Sequence, residues 1–245
     1  MQEKAHPIVD RKLSFAAPER VDHQGSVVIP LSVEDANTVA RKVQESGAEA
    51  VAISLLFSFR NPIHEEELRD LIEALPSKPF VSISSQVLPE FREYERTSTV
   101  TVNSYVGPVM SKYMEKLESK LGNKGLRIMQ SSGGSISARQ ASQQPVRTIL
   151  SGPAGGVVGA FWEAAQAGYP DVITLDMGGT STDVSLCPGR IQETTTATTG
   201  GYPISVPMID IHTVGAGGGS IARVDAGGAL QVCLLYTSTS PRDRG

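Results

Sequence analysis

Residues 174–186 read TLDMGGTSTDVSL. A short apolar run ends in Asp176, turns through Gly178 and Gly179, and leaves along Thr180, Ser181, Thr182 and Asp183. The pattern predicts a β-hairpin with the glycine pair at its tip. A backbone that binds phosphate must come close and turn its N–H groups outward, and glycine removes the Cβ obstacle. The three hydroxyl residues add donors for anionic oxygens. Asp176 and Asp183 would repel a bare phosphate, but they suit a site where a hard divalent cation such as Mg²⁺ sits between carboxylate and nucleotide. The plain alternative is a tight hairpin with polar strand edges.

Two more glycine-rich stretches follow or precede it. SGPAGGVVGAFWEAAQAG, residues 151–168, reads as a glycine-rich turn feeding a helix that closes at Gly168. Its Ser151, Gly152, Gly155 and Gly156 would offer amides to an anion at the positive end of the helix dipole. The same glycines equally suit close packing of a helix on a sheet. GAGGGS, residues 215–220, has the same two readings, with Gly217 and Gly218 near nucleotide or substrate in the functional one.

Toward the N-terminus, helices and strands alternate. SVEDANTVARKVQESG predicts a helix capped by Ser32, with Ala36, Val39, Ala40 and Val43 on one face and Gly47 ending it. AEAVAISLLFSF follows as a buried strand, and Asn61 with Pro62 opens a second helix that stops at Pro76. PFVSISS is another strand. This alternation argues for α/β layering around a largely parallel sheet. A long amphipathic helix then carries Tyr105, Val109, Tyr113 and Leu117 at helical spacing, which predicts core packing. Glu93, Glu95 and Arg96 before it suit either helix capping or substrate contact, and His212 beside Asp210 suits a packed strand residue or a catalytic one.

Composition narrows the class. The chain has 245 residues, 40% hydrophobic and 20% charged, with a formal net charge of −4. Those values fit an ordinary globular protein and give no electrostatic case for nucleic acid or an anionic membrane. The apolar run AVAISLLF is far too short to span a bilayer, and the first residues lack a secretory signal. Two cysteines, Cys187 and Cys233, have neither a disulfide framework nor zinc spacing. The expected address is the cytosol.

Asp176-Met-Gly-Gly-Thr-Ser-Thr-Asp183 resembles the second phosphate loop of the acetate kinase, sugar kinase, Hsp70 and actin superfamily. With EYERTSTVTVNSYVGPVMSKY, SGPAGGVVGA and DIHTVGAGGGSIARVDAGGAL, the chain looks more narrowly like the hydantoinase A / 5-oxoprolinase family, over residues 8 to 232. The resemblance implies an α/β fold with ribonuclease H-like lobes, incomplete here: residues 1–75 as the end of an N-terminal domain and 79–232 as the start of the central domain. It implies ATP and Mg²⁺ as cofactors, a cyclic amide as substrate, and a hydantoinase B-type subunit or domain as partner. Asp176 would organise the metal and serve catalysis, while Gly178, Gly179, Thr180, Ser181, Thr182 and Asp183 would grip phosphate, Asp183 having turn anchoring as its alternative. The carboxylase relatives of the family imply a second activity, ATP-dependent carboxylation of a ketone; a nucleotide-binding scaffold without ring chemistry is a third reading.

The superfamily grips ATP between two lobes, each with a Gly-Gly-Thr hairpin, and this sequence has one. Residues 233–245, CLLYTSTSPRDRG, depart from the family pattern and resemble a translated sequencing adapter. The expectation is an internal fragment with an artefactual tail, inactive by itself.

Overall fold

The computed structural model describes residues 7–122 and 125–234. In chain order the elements are β1 (Arg20–Val21), β2 (Val27–Ile29), α1 (Val33–Ser46), β3 (Ala50–Ile53), α2 (Ile63–Glu73), β4 (Phe80–Ile83), α3 (Ser84–Val87), α4 (Glu93–Leu121), β5 (Arg127–Met129), β6 (Ser135–Ser137) and α5 (Ala138–Gln143). There follow α6 (Ser151–Gln166), β7 (Asp171–Met177), β8 (Thr182–Pro188), β9 (Glu193–Thr194), β10 (Ala197–Thr199), β11 (Tyr202–Ile204), β12 (Met208–Ile209), β13 (His212–Val214), β14 (Ser220–Val224) and β15 (Leu230–Leu234). Contacts group them into two units: residues 7–122, 125–130, 134–149 and 195–207, and residues 131–133, 150–194 and 208–234.

In the first unit, α1 begins where Ser32 accepts the N–H of Asp35, and ends at Gly47, whose φ of 66° needs no Cβ. Val39, Ala40 and Val43 of α1 meet Leu68 and Ile72 of α2 over Ile53 and Ile83, the last residues of β3 and β4. Those two strands pair in parallel from Ala50↔Phe80 to Ile53↔Ile83. Every other strand pair described is antiparallel, so the expected largely parallel sheet reduces to this one pair. The expected strand 48–59 is shorter too: after Ile53 the chain turns, with Phe57 at φ 57°. Pro62 is the N-cap of α2 rather than its first residue, and the Asn61 side chain accepts the N–H of Ile63.

The helix α4 corrects the sequence reading most sharply. Tyr105, Val109 and Tyr113 are 81%, 71% and 53% exposed; only Leu117 of the expected stripe packs, against the cluster of Met114, Ala138 and Ala141. The buried stripe is Val100, Asn103, Ser104, Gly107 and Met114. Small residues win that face because the helix lies directly on β3 and β4. Ser104 donates to the carbonyl of Val51, and Asn103 donates to Ser82 Oγ and the Gln143 carbonyl while accepting the N–H of Val146. A Cβ on Gly107 would stand 2.2 Å from Cε1 of Phe80. The first unit therefore runs across residues 75–79.

In the second unit, β7, β8 and β13 form an antiparallel sheet in the order β13-β8-β7. Ala154 and Val157 of α6 pack on Cys187, Val172 and Ile209 on one face. Side chains alternate along a strand, so Asp176 shares the α6 face with Val172 and Thr174. The SGPAGG stretch is the opening of α6 itself rather than a turn leading into it. A turn at Asp225 joins β14 to β15, which takes in residues 233 and 234 of the expected foreign tail; residues 235–245 lie outside those described.

Two outcomes are expected. Alanine at Gly107 gains about 1 kcal/mol of helix propensity, yet strikes the Phe80 ring, so Gly107→Ala should destabilise the first unit by roughly 1–3 kcal/mol. Denaturant unfolding measures this, and a Phe80→Leu background should recover part of the loss. The Asp225 carboxyl is held below the usual range by the N–H of Ala229, then by Gln231 and the N–H of Gly227. A depressed folded-state value places its stabilising effect above the unfolded carboxylate value, and the effect is lost as pH falls through the folded one. Relative to the intrinsic exchange rate at each pH, protection of the β14–β15 amides should therefore fall on acidification, and Asp225→Asn should remove that dependence.

Candidate functional site

The hairpin expected from the sequence is present, with Asp176 opposite Asp183 and Met177 opposite Thr182. Gly178 N–H closes it onto the Ser181 carbonyl at 2.9 Å. Neither tip glycine has positive φ, so the pair is not required by the turn's own backbone. A second glycine segment lies directly against them. Gly218 and Gly219 donate to the carbonyls of Gly178 and Gly179, both at 2.9 Å, and a Cβ on Gly217 would lie 2.5 Å from the Gly178 carbonyl oxygen. The 215–220 loop is thus laid on the tip at backbone contact distance, which only glycine permits.

This lacing engages the tip's acceptors and not its donors. Its carbonyls are occupied by the 217–219 loop, whereas the N–H groups of Gly179, Thr180 and Ser181 have no backbone acceptor among the described residues. A Cβ on Gly179 would meet nothing within 4 Å, and Thr180 is exposed. Donors left free in this way can serve an anion.

The two aspartates differ in circumstance. Asp183 accepts the hydroxyl of Thr213 at 2.5 Å, across the β8–β13 pair, and so anchors the turn. Asp176 is exposed, and its Oδ2 lies 3.7 Å from where a Cβ on Gly156 would stand, beside the second turn of α6. Thr182 is buried and donates its hydroxyl to the Ala216 carbonyl at 2.7 Å, so its proton serves the clamp rather than the outer surface.

Leu150, at φ 65°, precedes α6 without a side-chain cap, and Ala154 N–H returns to its carbonyl. The N–H groups of Ser151 and Gly152 thus stand in an uncapped first turn. Gly155 is half-buried along the helix, while Gly156 faces Asp176, where an added Cβ would make only an ordinary contact at 3.7 Å. The second unit therefore gathers the hairpin, the 215–220 loop and the second turn of α6.

His212 is exposed on β13 opposite Val184, and Asp210 meets its neighbours through its backbone, accepting Ser185 Oγ and donating to the Gln192 carbonyl. Cys187 is fully buried in the α6 core, a packing role. Among the described residues no three His, Cys, Asp or Glu side chains gather as a metal cluster. Sequence inspection missed Thr213, Ala216 and Gly219 because their roles are cross-strand and loop pairings with no local signature.

Residues 96–241 match the family model described as Hydantoinase/oxoprolinase, and residues 2–75 match the Hydantoinase/oxoprolinase N-terminal region. The chain belongs to the hydantoinase/oxoprolinase family. Caprolactamase subunit alpha of Pseudomonas jessenii is 38% identical over 97% of this chain and 35% of its own. The 5-oxoprolinase 1 of Arabidopsis thaliana is 33% identical over 89% of this chain and 18% of its own. Among solved structures, that of ATP-dependent caprolactamase from Pseudomonas jessenii superposes with a TM-score of 0.84 and 37% identity, covering 98% of this chain and 35% of that one. Nucleotide-free acetone carboxylase gives 0.78 and 32%, covering 93% and 33%. The chain spans about a third of the caprolactamase relative's length. Its mixed helix and strand architecture is that of these family structures. Among the described residues, no helix is long and apolar enough to cross a membrane.

The clamp geometry separates two glycines of this family member. Gly217→Ala should push the 217–219 loop off the tip, cost roughly 1–3 kcal/mol, and expose the Gly218 and Gly219 amides to exchange. Gly179→Ala, which meets open space, should leave both stability and exchange close to the parent; hydrogen-exchange mass spectrometry distinguishes them.

Proposed function

We propose that the tip spanning Asp176 to Asp183 is the phosphate clamp of an ATP-dependent enzyme that opens a cyclic amide, working within ribonuclease H-like lobes of the actin, Hsp70 and sugar kinase type. The observation that carries this reading is the glycine-laced tip: N–H groups of Gly179, Thr180 and Ser181 without a backbone acceptor among the described residues, beside an exposed Asp176. The ATP-dependent caprolactamase and the oxoprolinases of the same family support the choice of nucleotide and of substrate class.

The Gly179–Ser181 amides and the Thr180 and Ser181 hydroxyls would bind phosphate oxygens, with the Ser151 and Gly152 amides as a second donor set. Gly217 and Gly218 would hold the tip in shape, and Asp183 and Thr182 would fix its base. Mg²⁺ takes one or two carboxylates and completes its shell with water and phosphate oxygens, so a single exposed Asp176 without a wider acidic cluster suits it. Bound there, Mg²⁺ would supply charge neutralisation to the polyphosphate. The chain's own task is then positioning.

An unstrained lactam resists water because of amide resonance. Transfer of the γ-phosphoryl to its oxygen releases ADP and leaves an activated imidate; water adds to that carbon, the C–N bond opens to leave an acyl phosphate, and a second water hydrolyses it to the open-chain acid and inorganic phosphate. A hydantoinase B-type subunit or domain would complete the site, in keeping with a relative named as a subunit. Residues 1–75 and 79–232 would belong to the N-terminal and central domains, in a cytosolic enzyme.

Acetone carboxylase, at a TM-score of 0.78, supports a second reading in which ATP serves carboxylation of a ketone. One experiment tests both. The longest reading frame containing these residues, expressed with any adjacent B-type partner, should hydrolyse ATP faster with lactams or cyclic imides than without. Asp176→Ala should lower that rate on the order of 100-fold or more. Stimulation only by ketone with bicarbonate would select the carboxylase, and an Asp176→Ala rate equal to the parent's would overturn the clamp.

A further inference from the structure

The first unit carries a buried charged network that the phosphate clamp does not use. Glu65, fully buried on α2, accepts the N–H of Leu55 at 2.8 Å, the hydroxyl of Ser84 at 2.6 Å and the N–H of Ser85 at 2.9 Å. Arg96, 1% exposed near the start of α4, donates to Ser58 Oγ at 3.1 Å and the Leu55 carbonyl at 2.6 Å, and lies 5.2 Å over the Phe59 ring. Ser58 Oγ and Ser84 Oγ are 3.1 Å apart, so two hydroxyls link the charges. Burial pushes the guanidinium below its usual value, with Glu65 opposing the shift.

All these bonds converge on one place. Leu55 and Ser58 follow β3, and Ser84 and Ser85 follow β4, so the network ties together the C-terminal ends of the parallel strand pair. Stability alone does not account for it, since well-packed apolar residues usually serve a core as well as a buried charge pair. The network is also incompletely satisfied: Arg96 Nε, Ser98 Oγ and Ser85 Oγ are buried without a hydrogen-bond partner. Non-glycine residues with positive φ, Phe57 and Arg92, sit in the segments that follow β3 and precede α4. Such strain concentrates at ligand sites.

At the same edge Ser54 Oγ and Thr97 Oγ1 lie 2.9 Å apart in an exposed pair where either hydroxyl can donate. At the start of α4, the helix that carries Thr97, Glu95 pairs with Arg92 at 3.9 Å. In open α/β sheets, ligands bind outside the carboxyl ends of the parallel strands. The edge therefore offers donors and acceptors together.

We propose that the carboxyl edge of β3–β4 is a second ligand site, taking a small uncharged molecule with a hydrogen-bond donor and acceptor side by side, as the edge of a lactam presents. The Ser54 and Thr97 hydroxyls, one accepting and one donating, contact its N–H and C=O, and Glu65 and Arg96 are positioning residues that hold the two strand ends. The inference rests on the proposed ring-opening function for the kind of ligand alone; its location and its test need no nucleotide.

The test is a titration of the isotopically labelled chain with 2-pyrrolidinone, and with cyclopentanone, which keeps the carbonyl and lacks the N–H. Saturable shifts of the Ser54, Leu55 and Thr97 amides are expected with the lactam, at least about tenfold weaker with the ketone, as for a site built to pair an N–H. The Ser54→Ala, Thr97→Val double variant should lose them at an unchanged Tm. Glu65→Gln should weaken lactam binding while Asp176→Ala leaves it intact, which keeps a failure here distinct from a failure of the phosphate clamp. Absent edge shifts, equal binding of the ketone, or shifts that persist in the double variant would overturn the proposal. If Glu65→Gln does not fold, the double variant still decides.

Discussion

The second unit depends on one backbone-to-backbone contact. Gly218 and Gly219 donate to the two tip carbonyls, and Gly217 lies so near the Gly178 oxygen that no side chain fits between them. The carbonyls of Gly178 and Gly179 are thereby engaged by the supporting loop, while the N–H groups of Gly179, Thr180 and Ser181 have no backbone acceptor among the described residues. Thr182 and Thr213 extend the support by bonding Ala216 and Asp183. An anion site of the kind proposed for this tip would need no lysine or arginine, because oriented peptide dipoles would supply the positive potential.

The first unit obeys a different constraint, close approach of a long helix to a two-stranded parallel sheet. Gly107 and Ser104 permit the approach, and Asn103 satisfies the backbone and hydroxyl groups it covers. The apolar ridge of Tyr105, Val109 and Tyr113 is consequently turned outward. Helical spacing identified a stripe correctly but chose the wrong one, since hydrophobicity ranks faces by transfer free energy while sheet contact ranks them by size and hydrogen-bond fit.

Legibility varied with the range of the interaction. The α1 cap at Ser32 and its stop at Gly47 are settled by neighbours within a turn, and both stood in the sequence. So did the hairpin, whose glycine pair and flanking strands are contiguous. The SGPAGG stretch was harder: glycine lowers helix propensity, yet α6 starts at Ser151, supported by Ala154 and Val157 packing on Val172, Cys187 and Ile209. Likewise the short β3 and the chain's turn at Phe57 come from Glu65 and Arg96 capturing both backbone groups of Leu55, partners 10 and 41 residues away.

The amino-acid order by itself determined membership of a family, the presence of the glycine-tipped hairpin and the identity of the two aspartates that flank it. Only the tertiary structure decided that Asp183 is tied down and Asp176 is exposed, and that Gly217 is a packing necessity while Gly179 faces open space. The physical reason is distance along the chain. A residue's chemical type is local, but which of its groups stay free depends on partners brought to it by folding, here from about 30 to 40 residues further along.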